Sequence, residues 1–491
     1  MTAGAHARAP VIVGVGQVIG RDGDSDEPLA LALEALRLAG EDSGAGDTLL
    51  RRADSVRCVP TTGWPYTNQA ALLADKLGAH PRDLVETSRF GGDGPQRLIG
   101  DTAQAIADGR LDVALVSGAE AIATVMRCQK RGERPPWPDP PSAGPQSRVL
   151  GSDRNPANEV ETAAGLLAPV YAYALIESAL RARTGADRET HLERIAALWS
   201  RFSAVGAGNA YAWLPRVFTP DELATPSADN RPVSDPYLKL LTANLQVDLA
   251  TGLILCSAEA AESAGVPKDR WIFLWAGAHA TDEWHLSERA ELAASPAIRA
   301  CGRAAFEHAA VAADDLTHVD LYSCFPSAVQ IGAAELGLPL DDRAHPLTVT
   351  GGLTFAGGPG NNYSSHAVAT LVPLLREDPR AIGLTTALGW YVTKHALNLY
   401  SASPPARSYR DIAADELVER PPPRPIASAY SGPATLEAYT IPYGRDGEPE
   451  AAVISTLTPD GSRCLVRSSD PDLIELLVTT DPLGEEIAVE G

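Results

Sequence analysis

The stretch "GGLTFAGGPGNNYSSHAVATLV", Gly351 to Val372, runs a tight glycine-rich loop into an apolar-faced helix. A second stretch far upstream, "TSRFGGDGPQRLIGDTAQAIADG", Thr87 to Gly109, follows the same plan, with Leu98, Ile99, Thr102, Ala103 and Ile106 on one helical face. Working outward, each loop sits in the same series of elements. In the first series, "APVIVGVG" and "DSVRCVP" are strands, "EPLALALEALRLAGEDSG" is a helix, and "LDVALVSGAEAI" follows the loop and helix as a strand. In the second, "RWIFLWAGAHA" and "HVDLYSCF" are strands, "SPAIRACGRAAFEHAAVAADDL" and "PSAVQIGAAELGL" are helices, and "RAIGLTTALGWYV" closes the order. Two successive copies of one strand–helix pattern predict an internally duplicated α/β fold.

Two regions break the pattern. "GERPPWPDPPSAGPQSRVLGSDRNP" is too rich in proline for long regular structure and leads into two helices, "APVYAYALIESALRARTG" and "THLERIAALWSRFSAVGAG". It is expected to be an inserted lid over the crevice. "ANLQVDLATGLILCSAEAAESAG" then returns to the first half. After "ARSYRDIAADELVERPPPRP", alternating residues around "RDGE" and "PDGS" turns predict a small β module, with a five-stranded OB-like barrel as the expected shape. The expected boundaries are 1–125 and 235–268 for the first half, 126–234 for the insertion, 269–403 for the second half and 404–491 for linker and β module.

With 491 residues, a net charge of -22 and 45% hydrophobic content, the chain reads as a soluble globular protein. That charge argues against nucleic acid or an anionic membrane as the main partner, and an anionic substrate would need a local basic pocket. The six cysteines lack CxxC spacing, which disfavours a zinc site or disulfide framework. There is no secretory signal pattern and no apolar run of spanning length, so a cytoplasmic location is expected. "GVGQVIG" lacks the full spacing of a dinucleotide loop.

The strings "PVIVGVGQ", "GGDGPQRLIGDTAQAIADGRLDVALVSGAEA", "NLQVDLATGLILCSAEAA", "VDLYSCFPSAVQ", "GGLTFAGGPGNNYSSHA" and "GWYVTKHA", in that order, resemble the thiolase superfamily, and its C-terminally extended type 1 thiolase-like proteins in particular. The resemblance implies two similar halves in a five-layered αβαβα core, with the active site where loops of both halves meet. It implies an acyltransferase or a relative acting on acyl-CoA or acyl-carrier thioesters, with no tightly bound cofactor and coenzyme A thioester as substrate. Family members commonly dimerise through the core, so a homodimer is an expectation that no feature here requires. Some sterol-carrier-type relatives perform retro-aldol cleavage, several with an OB-like partner that the tail here would supply in cis.

Family chemistry needs a nucleophilic cysteine at a helix start, a histidine in a GHP loop and a second cysteine in a CxGxG loop. The matching positions here are Gly91, Gly358 and the "TTALG" run from Thr385 to Gly389. An acyl-cysteine at the usual place is therefore impossible. Two readings follow: an enzyme with an unusual site, or a catalytically inactive binder of CoA or lipid thioesters (or scaffold subunit).

The residues left to carry chemistry are Cys324, a thiol near a helix start or a small buried hydrophobe, and Tyr322, a carbonyl donor or a packing residue. His366, in a first helical turn, reads as a neutral base or a loop support. Lys394 and His395 follow the last expected strand near the same crevice. Gly91, Gly92, Gly357 and Gly358 are expected to bring backbone amides close to a ligand, beside Asn362, while Asp93 and Asn361 pin the loops. Asp248 is read as structural.

Overall fold

The structure is a computed structural model describing residues 7–139 and 146–489. Its first half contains β1 (Pro10–Ile19), β2 (Ser55–Val59), β3 (Asp83–Thr87), β4 (Val113–Ala121) and the short β5 (Arg148–Leu150). The insertion ends on β6 (Pro232–Ser234), which pairs with β7 (Tyr237–Leu238), and β8 (Asp248–Ser257) returns to the first half. The second half has β9 (Ile272–Thr281), β10 (His318–Asp320), β11 (Gly383–Gly389), β12 (Lys394–Ser401) and the short β13 (Asp411–Ala413). The strands run in the order β10-β11-β12-β9-β1-β8-β4-β2-β3-β5, and the two half-sheets join only where Val11 and Ile12 meet Phe273 and Ile272. β5 pairs in parallel with the outer edge of β3 and covers it.

Side-chain alternation builds the layers. Val11, Val13, Leu115 and Ile254 point outward to the Pro28–Ser43 helix, which contributes Leu29, Ala32 and Leu36. Ile12, Val116, Leu253 and Leu255 point inward. There they meet Leu98 and Ile99 of the Gly94–Ala107 helix and Val368, Leu371 and Leu375 of the Tyr363–Glu377 helix, with Leu274 and Tyr400 of the other half closing the far side. Beyond that second sheet lies the Pro296–Ala309 helix, packing Ile298, Cys301 and Ala305 with Leu397 and Leu399. Helix, sheet, paired helices, sheet and helix make the five layers expected of the duplicated sequence. The loops of interest are the entries to the two central helices.

The glycines of "GVGQVIG" serve this packing. A Cβ on Gly14 would lie 2.0 Å from the Ala39 carbonyl oxygen, and one on Gly16 would lie 2.1 Å from that of Ala35. The bare strand lets the Pro28–Ser43 helix sit directly on the sheet.

The insertion supplies the Pro169–Thr184 and Arg188–Gly208 helices. Buried Glu177 accepts hydrogen bonds from Tyr237 (2.6 Å) and from Gln330 (2.7 Å) of the second half, and its Oε1 lies 2.7 Å from His191 Nε2.

The tail forms a four-stranded antiparallel sheet from β14 (Gly432–Thr440), β15 (Ala452–Leu457), β16 (Arg463–Ser468) and β17 (Glu486–Val489), ordered β16-β15-β14-β17. The antiparallel β module is as expected, but its described strands make this open sheet where a five-stranded barrel was anticipated. The Pro471–Thr480 helix, capped by Asp470, covers one face with Ile474 and Leu477. Its start signal is "SDPD", a capping aspartate followed by proline. Among the described residues, no helix is long and apolar enough to cross a membrane, and no cluster of three or more His, Cys, Asp or Glu could hold a metal ion. All six cysteines are buried and free.

Buried Arg463 ties the module to the second half. Its guanidinium pairs with both Glu437 oxygens (2.7 and 2.6 Å) and donates to the Ser287 and Arg289 carbonyls (2.9 and 2.5 Å). Arg463→Ala strands Glu437 and these carbonyls, so a loss of about 3 kcal/mol or more is expected. Denaturant titration should show that loss, with Arg463→Lys retaining part of the stability.

Candidate functional site

The two glycine loops meet through one side chain. Asn361 Oδ1 accepts from the Gly91 amide (3.1 Å), and Asn361 Nδ2 donates to the Arg89 carbonyl (2.7 Å). Asn361 thus stitches "GGPGNN" to "RFGG" across the two halves. Its neighbour Asn362 donates to the Gly118 carbonyl and to Thr251, both at 2.9 Å, and anchors the second loop to β4 and β8.

The space where a nucleophile would stand is occupied. Gly91 has φ +135°, and a Cβ there would lie 2.3 Å from Lys394 Nζ and 2.3 Å from Asp93 Oδ1. Lys394, only 4% exposed, pairs with Asp93 at 3.1 Å and donates to the Phe90 carbonyl at 2.8 Å. The Ser152 carbonyl, on the segment leaving the Pro-rich insertion, lies 3.4 Å from the same ammonium. Gly389, at the end of "TTALG", is equally tight: a Cβ there would be 2.7 Å from Lys394 Cε. Gly92 is covered by Tyr322, whose hydroxyl would lie 2.0 Å from an added Cβ. Gly91, where the family carries its nucleophile, and Gly389, at the far end of the "TTALG" run, are thus glycines wrapped around one lysine.

The turn before Lys394 is strained. Trp390 (φ +60°) and β-branched Val392 (φ +56°) both take left-handed backbone. Buried Tyr173 of the insertion donates to the Trp390 carbonyl (2.6 Å) and accepts from the Val392 amide (3.3 Å), while Arg289 donates to the Tyr391 carbonyl (2.6 Å). Half-exposed Phe90 packs on the Trp390 ring at 5.6 Å.

Other expected residues fall into different roles. Cys324 precedes the Pro326–Leu336 helix, but burial pushes its thiol up to about 12, offset only in part by hydrogen bonding with Tyr173. It is a thiol, not a thiolate, at neutral pH. Burial likewise raises the Tyr322 phenol, with Cys324 and Asp93 adding to the effect. His366 is buried in the central layer, its Nδ1 3.0 Å from Gln17 Oε1, and burial lowers it to about 3. It is a neutral ring. Asp248 accepts from the Thr124 amide and the Ser25 and Thr124 hydroxyls and pairs with Arg127, within the first half's framework.

The expectation that Lys394 and His395 follow the last strand beside one crevice is corrected. They begin β12, where successive side chains face opposite ways. Lys394 points into the central layer. His395 points to the outer one, 2.9 Å from Asp282, beside a cavity of about 20 Å³ that it shares with Cys301, Tyr322 and Thr386.

Gly357 (φ +106°) and Gly358 lie on the far side of the loop, where Gly358 donates to the Asn244 carbonyl at 2.8 Å. Outside them opens a cleft of about 890 Å³ lined by Asn244, Leu245 and five cationic residues, Lys130, Arg216, Arg231, Lys239 and Arg445, with Asp229 the one acidic lining residue. Sequence reasoning missed both this basic cleft and the Lys394–Asp93 pair. Their members lie far apart in the chain and carry no shared local motif.

The chain is 33% identical to a monomeric SCP2-thiolase-like protein type 1 from Mycobacterium smegmatis, over 99% of both chains, with a TM-score of 0.83. The chain belongs to the type 1 SCP2-thiolase-like proteins. The family's additional C-terminal domain matches residues 414–491. At the level of fold alone, the chain is similar to an Ltp2-ChsH2(DUF35) aldolase (17% identity, TM-score 0.60, 81% of this chain and 99% of that one). It is similar in the same sense to an acetyl-CoA acetyltransferase from Syntrophomonas wolfei (15% identity, TM-score 0.52, 81% of this chain and 99% of that one). No curated protein sequence matches the chain.

Two outcomes follow for this family member. Lys394→Met leaves Asp93 buried and unpaired, at an expected loss of about 3–5 kcal/mol, and adding Asp93→Asn should restore most of it in denaturant titrations. The second concerns pH. His366 has its folded pKa below the unfolded value of about 6.5, so the unfolded chain takes up the proton first. Its contribution is full above pH ~6.5 and fades as pH falls towards 3, by about 2 kcal/mol between pH 6.5 and 5. His366→Gln should flatten that acid slope in denaturation midpoints measured from pH 7 to 5.

Proposed function

We propose that the chain binds a coenzyme A-type acyl thioester and does not transfer its acyl group through a cysteine. The observation that carries this reading is the Lys394 side chain, which lies against Gly91, where the family's nucleophile would need room, and against Gly389 beside it. A second thiol does not take over. Burial pushes the Cys324 thiol up to about 12, so it stays protonated at neutral pH.

The binding half of the reading rests on charge. In a chain of net charge -22, five cationic side chains gathered around one cleft make a local site for an anion. The cleft also abuts the "AGGPG" loop, whose Gly358 amide donates to the carbonyl of the lining residue Asn244. The insertion walls the cleft through Lys130, Arg216 and Arg231, which suits a substrate-selecting element.

Calorimetric titration with coenzyme A and acetyl-CoA tests binding, and intact-mass measurement after incubation tests acyl transfer. Micromolar-range binding without a covalent acyl adduct is expected. An adduct on Cys324 would replace this reading with an acyltransferase. Cleavage of a β-hydroxyacyl thioester, lost in Tyr322→Phe, would replace it with a carbon–carbon lyase, because the Tyr322 phenol and the Lys394 ammonium flank the Gly91–Gly92 loop.

A further inference from the structure

The large cleft is assembled from three parts of the chain. Lys130, which ends the Ile122–Lys130 helix, Arg216 and Arg231 come from the insertion, Lys239 from the return to the first half, and Arg445 from the C-terminal module. Two of these cations are already engaged. Arg216 pairs with Glu222 and lies 4.4 Å over the Phe218 ring, and Arg231 donates to the Pro232 carbonyl at 2.8 Å. Lys130, Lys239 and Arg445 have no carboxylate within ion-pairing distance among the described residues. They are exposed at the cleft with their charge unspent.

Arg445 differs from the others in how it arrives there. It sits in the "GRDGE" turn between β14 and β15, a turn closed by the Gly444 amide on the Glu448 carbonyl (2.9 Å) and by Gly447 with φ +88°. The chain leading into that turn is bonded directly to the insertion. The Asp235 amide donates to the Ile441 carbonyl, and the Tyr443 amide donates to the Val233 carbonyl, both at 3.0 Å. Thr440 adds a bond to the Asp235 carbonyl at 2.7 Å, and its hydroxyl lies 2.7 Å from that of Ser234. The module's β14 is thus continued onto the insertion's own strand, and the turn is held at the cleft rim by backbone bonds on both sides.

We propose that Arg445 is the ligand-reading residue of the C-terminal module, its guanidinium binding the phosphorylated end of the thioester's carrier. This rests on the coenzyme A reading above. A guanidinium offers a planar pair of donors matched to phosphate oxygens, and a turn pinned by main-chain bonds loses little freedom when the side chain engages. The module's role at the cleft is specificity for the charged carrier.

The test is calorimetric titration of the full chain with coenzyme A and with pantetheine, which lacks the nucleotide phosphates. The variants are Arg445→Glu, Arg445→Lys and, as a charge control, Arg380→Glu, whose side chain is 95% exposed and does not line the cleft. Arg445→Glu should weaken coenzyme A about tenfold and leave pantetheine unchanged, Arg445→Lys should keep most of the affinity, and Arg380→Glu should match the unaltered chain. Wild-type affinity in Arg445→Glu, or an equal loss in Arg380→Glu, overturns the assignment while coenzyme A binding stands. An unaltered chain that does not bind coenzyme A removes both readings.

Discussion

The ion pair between Lys394 and Asp93 is the constraint around which the site is arranged. A lysine ammonium taken out of water needs a carboxylate and carbonyl acceptors close by, and here Asp93 and the Phe90 carbonyl provide them. That demand explains the glycines on either side. Any side chain at Gly91 or Gly389 would collide with Lys394 or Asp93, so the loop is bare because the lysine fills it. The same wrapping leaves no room for a side chain at either glycine.

Lys394 is held in turn by elements from every part of the chain. The strained turn before it is clamped by Tyr173 of the insertion and by Arg289. Arg289 belongs to a loop whose carbonyls accept from Arg463 of the C-terminal module. Insertion, second half and module therefore share responsibility for one backbone conformation, and the two left-handed residues at Trp390 and Val392 persist because the surroundings over-determine them. This is a more economical explanation of the extra domain than a free-standing accessory. The module buries an arginine against the core on one side and delivers another to the large cleft on the other.

Charge is distributed to the same end. The chain as a whole is strongly acidic, which keeps most of its surface unattractive to anions, and the exposed cations of the cleft stand out against that background. Phosphates would be drawn to one face. The apolar central layer and its neutral His366 have no part in that attraction, because a ring lowered to about 3 by burial carries no charge at physiological pH.

The duplicated strand–helix order, the insertion's helices and the two glycine loops were legible in the sequence, because alternation and helical spacing are local properties set by which face is buried. The loss of cysteine and histidine from the family positions was legible too, being a matter of residue identity. What occupied the vacated space was not. Lys394 and Asp93 are brought together by pairing between β11 and β12 and by the central helix that Asp93 precedes, and nothing in either neighbourhood names the other. The same holds for His395, whose direction was decided by strand parity: one residue's shift along β12 sends a side chain from the central layer to the outer one. The sequence by itself determined the layers and which of the family's side chains are replaced. Only the tertiary structure decided which charges meet, because buried pairing and cleft electrostatics depend on distances between segments that local preference does not encode.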